Sequence, residues 1–209
     1  MPRSARPDPG RPADPGDRPD EQAWLVVGLG NPGPEYSGHR HNVGFMVADV
    51  LATTVGGSFR RHKRARAVVL EGRLGGQRLV LAKPTTYMND SGQAVSGLLD
   101  FYSLTPDQLV VVHDELDLPF AHIRLKFGGG DNGHNGLRSI RRSLGTGDYF
   151  RARFGIDRPP GQMDAAAYVL RNFATAERKD LDSEVVRTAD AVVELVTHGL
   201  ASAQQQFND

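Results

Sequence analysis

An apolar run that stops abruptly in a cluster of glycine, proline and asparagine constrains this chain more than any other feature. Residues 24–27 read Trp-Leu-Val-Val, as expected of a buried strand. Gly28, Gly30, Asn31, Pro32 and Gly33 follow, all turn formers. His41 and Asn42 come next, and behind them Phe45, Val47, Val50 and Leu51 recur at helical spacing. A strand that ends in a tight, amide-bearing loop and feeds a helix opened by a histidine–amide pair belongs to an α/β protein. In such folds the polar side chains at the carboxyl edge of the sheet form the site.

The rest of the chain repeats the alternation. Strand-like runs fall at 25–28, 67–74, 78–82, 109–113, 123–127 and 150–156, with Gly75-Gly76 as a hairpin turn between the second and third. Helical patterns fit 41–54, 91–102, 135–144 and 176–198, and a short helix fits 164–170. In the last long helix Leu181, Val185, Ala189, Val192, Val193 and Val196 share one face, and Gly199 is its stop. The predicted fold is a single α/β domain over residues 23–209, with a twisted mixed, largely parallel β-sheet flanked by helices on both faces. A chain of 209 residues is long enough to bury one substantial core.

Composition narrows the function classes. The chain has no cysteine, which excludes disulfides and thiolate zinc sites and fits a reducing cytoplasm. No apolar stretch approaches the ~18 residues of a membrane helix, so no membrane partner is expected. Residues 1–22 are rich in Pro, Asp and Arg and lack an apolar stretch, which predicts a disordered tail and not a signal peptide. The net charge of zero hides a segregation: residues 21–156 carry 16 basic against 12 acidic side chains, and residues 157–209 carry five against nine. A basic middle is compatible with an RNA partner on one face without requiring one.

GLGNPG at 28–33 has the spacing of a dinucleotide-binding turn. However, Pro32 and Pro34 interrupt it, residues 36–39 delay the helix, and the nearest acid, Asp49, falls inside the helical pattern. A nicotinamide-binding reading fails on those details. None of the seven histidines forms an HExxH or other zinc pattern, so neither a metal nor an organic cofactor is expected.

Other residues can do acid–base chemistry. An imidazole with a pKa near ~6.5 serves as a neutral general base at cytoplasmic pH, and His41 stands at a strand-loop and helix start. Asp114 follows the apolar run 109–112 and so lies at another strand edge, where a carboxylate can hold a histidine tautomer. Glu115 and Asp117 are its neighbours. Asn31, Asn89 and Asn135 all sit in turn-like contexts that suit structural roles, yet an amide offers both a donor and an acceptor without charge.

Five stretches, in one order and spacing over residues 24–200, carry a resemblance: GLGNPGPEY with RHNVGF, KPTTYMNDSG, HDELDLPFAHIRLKFGGG, GHNGLRSI and RARFGIDRPPG. They resemble the bacterial-type peptidyl-tRNA hydrolase family, enzymes that cleave the ester between a peptide and the 3′ end of tRNA and so recycle tRNA from aborted translation. The resemblance implies a cytoplasmic monomer of the same α/β fold. It selects His41, over its neighbour His39, as the base that activates water, and Asp114 as its partner, with no acyl-enzyme. It implies that Asn31 orients substrate and water, that Asn89 binds at the ester and that Asn135 contacts the peptide side. Tyr36 falls at the tRNA-end site. Asn42, Tyr87 and His134 are further candidates for substrate contact. Lys126 and Arg153 match the pair that clamps the acceptor-stem phosphate, and 164–170 matches a mobile cover over the cleft. Asp131 and Asn132 depart from the family pattern in the glycine loop that ends at Gly133. The competing expectation is a non-catalytic RNA-binding protein on the same fold.

Overall fold

The computed structural model describes residues 23–209; the tail expected at 1–22 lies outside the described residues. The elements run β1 (Trp24–Gly28), α1 (Val43–Val55), β2 (Arg60–Arg61), β3 (Ala67–Leu74), β4 (Gln77–Pro84), α2 (Ser91–Tyr102), β5 (Leu109–Glu115), β6 (Ile123–Phe127), α3 (Asn135–Leu144), β7 (Phe150–Gly155), α4 (Ala165–Val169), α5 (Arg178–His198) and α6 (Leu200–Phe207). The sheet order is β2-β3-β4-β1-β5-β7-β6. Its centre is parallel (β4 with β1, β1 with β5, β5 with β7), and the flanking strands pair antiparallel.

Burial follows from that order. β1 and the first four residues of β5 are covered on both faces, and those stretches are apolar apart from Gly28, whereas β5 ends in His113, Asp114 and Glu115 at the crevice. Alternate residues feed two layers. Val26, Val110, Val112 and Phe154 pack with α1 and α5, through Val47, Leu51, Val192 and Val196. Leu25, Val27 and Val111 pack with α2 and α3, through Val95, Leu98, Leu137 and Ile140. After β1 the chain first builds β2, β3 and β4 on one side, then crosses through α2 to β5 on the other. The carboxyl end of β1 is therefore a topological switch point, where the loops diverge and leave a crevice.

Two glycines bring the start of α1 against that end. A Cβ on Gly28 would lie 2.1 Å from the Gly44 carbonyl oxygen, and one on Gly44 would lie 2.4 Å from the Val112 oxygen. Any side chain at either position would push His41 away from β5.

Three elements differ from expectation. β2 was not foreseen; it is two charged residues long, with no apolar pattern. α1 begins at Val43 and not at 41, because Arg40–Asn42 form a 3-10 turn ahead of it. Gly199 ends α5 at φ 90°, but the chain resumes as α6, whose polar sequence gave no signal. α6 and the residues after it cap the free edge of β6. Gln204 Nε2 donates to the Leu125 carbonyl at 2.9 Å, while the Asn208 and Asp209 side chains accept from Leu125 N at 2.7 Å and Ile123 N at 2.9 Å. An edge strand covered in this way cannot template pairing with another chain.

Candidate active site

The histidine expected to act as a base sits in the crevice, joined to the expected carboxylate. His41 Nδ1 lies 2.9 Å and 3.0 Å from the two carboxylate oxygens of Asp114, and both side chains are buried. A carboxylate only accepts, so Nδ1 carries the proton and Nε2 is left as the basic lone pair. His39, two residues earlier, instead packs edge-on against Tyr36 and forms a β-bridge with Asn172.

A second histidine shares the same carboxylate. His134 Nε2 stands 3.0 Å from Asp114 Oδ1. Its Nδ1 accepts from the backbone N–H groups of Gly136 at 3.1 Å and Leu137 at 3.3 Å, and so caps α3. Backbone amides can only donate, which fixes His134 as the tautomer with its proton on Nε2, pointing at Asp114. The first-turn amides of Gly136 and Leu137 are therefore engaged by His134. His41, Asp114 and His134 offer ligand atoms within 4.8 Å of one another, the spacing of a metal site. Here those atoms face each other as donor and acceptor, so a cation would have to displace both hydrogen bonds.

The electrostatics follow from these contacts. Burial alone pushes the His41 imidazole down, but the charge and hydrogen bond of Asp114 outweigh it and raise the pKa above the ordinary 6.5. Burial would likewise push the Asp114 carboxyl up, yet His41 and His134 reverse this and hold it well below the usual carboxylate range. His113 precedes Asp114 on β5, and its ring stands 5.0 Å from that of His134. Its Nδ1 donates to the Asp114 carbonyl at 2.7 Å, and burial followed by the His134 ring pushes its pKa well below 6.5, so it is neutral.

Asn31 occupies the loop after β1 and is buried. Its Oδ1 accepts from Met88 N at 2.8 Å, which ties the loop to the turn before α2 and leaves Nδ2 as a free pair of donors. Asn42, expected among the substrate contacts, has a different place. Its Oδ1 accepts from Asn31 N at 3.0 Å and its Nδ2 donates to Asn31 O at 2.9 Å, so both polar groups hold the Asn31 backbone. Asn89 and Asn135 are both exposed, and Asn135 Oδ1 accepts from Arg138 at 3.4 Å. Tyr87 is also exposed, its ring edge-on to Tyr36 at 6.4 Å.

His41, Asp114, Glu115, His134 and Asn135 wall a cavity of about 310 Å³, closed on one side by Asp164, Ala165, Ala166 and Val169. The cover is the short helix α4, capped by Asp164 and packed through Tyr168, whose hydroxyl donates to the Ile156 carbonyl at 2.8 Å. A residue that sequence reasoning missed fastens it. Arg40, next to His41, is buried, pairs with Glu177 at 2.6 Å, donates to the Asn172 carbonyl and lies 4.4 Å over the Tyr168 ring. Asn31 and Asn42 line a different cavity, of about 310 Å³, with Phe45, Met46 and Lys83.

This arrangement has known counterparts. A family model described as peptidyl-tRNA hydrolase matches residues 25–209. The chain belongs to the peptidyl-tRNA hydrolase family. It is 59% identical over 187 residues to the peptidyl-tRNA hydrolase of Arthrobacter sp. (strain FB24), covering 88% of this chain and 96% of that one. It is 57% identical over 190 residues to that of Streptomyces coelicolor, covering 88% and 94%. The crystal structure of peptidyl-tRNA hydrolase from Acinetobacter baumannii superposes with a TM-score of 0.84 at 36% identity, over 89% of this chain and 94% of that one.

The basic pair that the family resemblance selected lies off the crevice, on β6 and β7. Register places Arg124 opposite Arg153 and Lys126 opposite Arg151, so all four point to one face. Arg151 is buried and structural: its guanidinium donates to the Gly130 carbonyl, to Gly129 O at 2.6 Å and to Gly147 O at 3.2 Å, which pins the glycine loop. In that loop Asn132 adopts φ 48°, the left-handed conformation that asparagine tolerates, and its amide reaches Glu115 at 3.4 Å. Lys126 and Arg153 remain partly exposed, with Glu115 3.6 Å from Arg153. Partial burial and the Arg153 and Arg151 charges push the Lys126 ammonium below its ordinary 10.5. An excess of like charge of this kind is relieved by an anion.

Proposed function

We propose that this chain hydrolyses the ester bond between a peptide, or an N-acyl-amino acid, and tRNA, with His41 as general base acting directly on water. The observation that carries the reading is the His41–Asp114 pair: its Nδ1 is engaged by the carboxylate, and His41 lines a cavity with Asn132 and Asn135, in a member of this family. Nε2 takes a proton from water as the water oxygen bonds to the ester carbonyl carbon. Asp114 stabilises the resulting imidazolium. The Asn31 Nδ2 hydrogens, free because Oδ1 is held by Met88 N, are the donors for the developing oxyanion. The carbon–oxygen ester bond then breaks, its electron pair goes to the ribose oxygen, and the proton on Nε2 follows it. The products are a free carboxylic acid and tRNA with its terminal hydroxyl restored.

The same reading assigns the rim. Tyr36 and Tyr87 form the aromatic platform for the terminal base, Asn89 and Asn135 contact the ester and its acyl side, and Lys126 with Arg153 holds the acceptor-stem phosphate. Residues 23–209 serve as one catalytic domain. The proposed working unit is a monomer. No helix among the described residues is long and apolar enough to cross a membrane.

The test is incubation of the purified chain with N-acyl-aminoacyl-tRNA, following both free tRNA and the released N-acyl amino acid. Stoichiometric release of the two is expected. Binding of tRNA without release would favour the non-catalytic alternative.

A further inference from the structure

We propose that the strip formed by β2, the turn after it and the end of α2 is a docking surface for single-stranded RNA, separate from the Lys126–Arg153 clamp. Arg60, Arg61, Lys63, Arg64 and Arg66 are all exposed. Among the described residues, none of the five is in an ion pair. Five uncompensated cations within seven positions repel one another, a cost that binding of a polyanion removes.

The backbone that carries them is well defined. His62 Nδ1 accepts from Arg64 N at 3.2 Å and Ala65 N at 2.8 Å, and Arg66 O accepts from Thr85 N at 2.8 Å. This turn holds Lys63, Arg64 and Arg66 outward on a fixed frame. At one end of the strip Phe101 is 46% exposed. Its ring stands 4.5 Å from that of His62, nearly perpendicular, and the Arg64 guanidinium lies 5.7 Å from its centroid. A merely solvated charged face has no use for an exposed phenylalanine. A ring beside spaced cations offers a base a stacking surface and its phosphates counter-charges, the combination that binds single strands. Duplex bases are stacked on each other and cannot reach the ring, which selects single-stranded RNA as the occupant.

The strip is far from the clamp. β2 and β6 are the two outer strands of the seven-stranded order, so at about 4.8 Å per strand they stand roughly 29 Å apart. An acceptor stem held at β6 and β7, with its 3′ end at His41, occupies the β5–β6 half of the edge. The strip therefore meets a different stretch of RNA, and its function does not depend on ester hydrolysis.

The test uses the full chain and a labelled oligouridine of about 12 nucleotides without a 5′ phosphate, a length within single-strand site sizes, titrated at several salt concentrations. Combining Arg61→Gln, Lys63→Gln, Arg64→Gln and Arg66→Gln is expected to weaken binding about tenfold or more at low salt, and to flatten the log–log salt slope by about 0.7 for each phosphate no longer neutralised. Phe101→Ser is expected to cost about fivefold or more in affinity while leaving the slope unchanged. The Lys126→Ala, Arg153→Ala double variant should bind the oligomer as the parent does, and the strip variants should still hydrolyse saturating substrate. Unchanged binding in the glutamine variant overturns the proposal, as does a loss of binding confined to the clamp variant. A neutral Phe101→Ser with equally tight binding of a duplex overturns the single-strand assignment.

Discussion

The two charged regions of the molecule, the buried histidine cluster and the basic pair on β6 and β7, are built on opposite principles. At the β1–β5 edge, the side chains of His41, Asp114 and His134 are almost wholly buried, and every contact between them has a fixed donor and acceptor. On the β6–β7 face, Lys126 and Arg153 are partly open to solvent, with more positive charge than the single carboxylate of Glu115 offsets. In the proposed reaction a proton leaves water for one particular nitrogen, which requires tautomers locked by burial. The proposed phosphate clamp must grip and release its ligand, which requires surplus charge left accessible. On this contrast, variants in the first region should act on turnover and pH, and variants in the second on binding and salt.

The largest effect is expected at His41. Positioned acid–base catalysis contributes typically ~10²–10⁴ in rate. His41→Ala should lose that much turnover while binding tRNA as before, and His39→Ala, whose ring packs on Tyr36, should not. An active His41→Ala protein would remove the base assignment.

Asp114→Asn comes next, and it probes the tautomer directly. An amide can donate to His41 Nδ1, which would move the proton to Nε2 and silence the base. It also removes the charge that holds the His41 pKa above 6.5, leaving burial to push it down. The parent kcat/KM should fall as pH drops through a value above 6.5; in Asp114→Asn that limb should move to lower pH beneath a reduced plateau. The double variant with His41→Ala should be no worse than the worse single one, since residues acting as a unit are non-additive. Multiplicative losses would mean that Asp114 acts independently of His41.

His134→Asn separates the two hydrogen-bonding roles of one ring and should have a smaller effect. Asparagine is a good helix N-cap, so α3 should survive, but the shorter side chain no longer reaches Asp114. A hydrogen bond to a charged group contributes about 1.5–3 kcal/mol, so roughly tenfold or more in kcat is at stake. With one donor gone, more of the Asp114 charge falls on His41, and the acid limb should shift to higher pH, opposite to Asp114→Asn. A fall in activity with an unmoved limb would make His134 a substrate contact instead.

What was legible in the sequence divides along the same contrast. The centre of the sheet could be read because parallel strands covered on both faces are unbroken apolar runs, as at 24–27 and 109–112. The places of Asp114 and Asn31 could be read because each closely follows such a run, and that of His41 because it precedes the helical pattern of Phe45, Val47, Val50 and Leu51. Partners distant in sequence could not. Asn42 looked like a site residue because it adjoins His41, yet both its amide groups go to the backbone eleven positions earlier. His134 caps α3 in a position where Ser, Thr, Asp or Asn is the usual signal. Arg40 and Arg151 look like surface cations, and only carbonyls and an acid supplied by remote segments keep them buried. β2 and α6 lack apolar periodicity altogether.

The smallest effects belong to the clamp, where they should be the most specific. Lys126→Ala and Arg153→Ala should each raise KM with kcat nearly unchanged, because the phosphate is held alike in ground and transition states. The log–log salt dependence of tRNA binding should flatten by about 0.7–0.9 for each phosphate no longer neutralised. Because burial and then the Arg153 and Arg151 charges push Lys126 down, Arg153→Ala should also raise the Lys126 pKa part of the way towards its ordinary value. Substrate geometry sharpens the test. A short substrate ending a few nucleotides from the ester never reaches β6 and β7, so parent and clamp variants should cleave it equally. A tRNA lacking its 5′ phosphate should behave on the parent as normal tRNA does on the variants. If both variants impair short and full-length substrates alike, Lys126 and Arg153 act through the structure around Glu115 and the glycine loop, and the division between a buried chemical region and an open binding region fails at its second half.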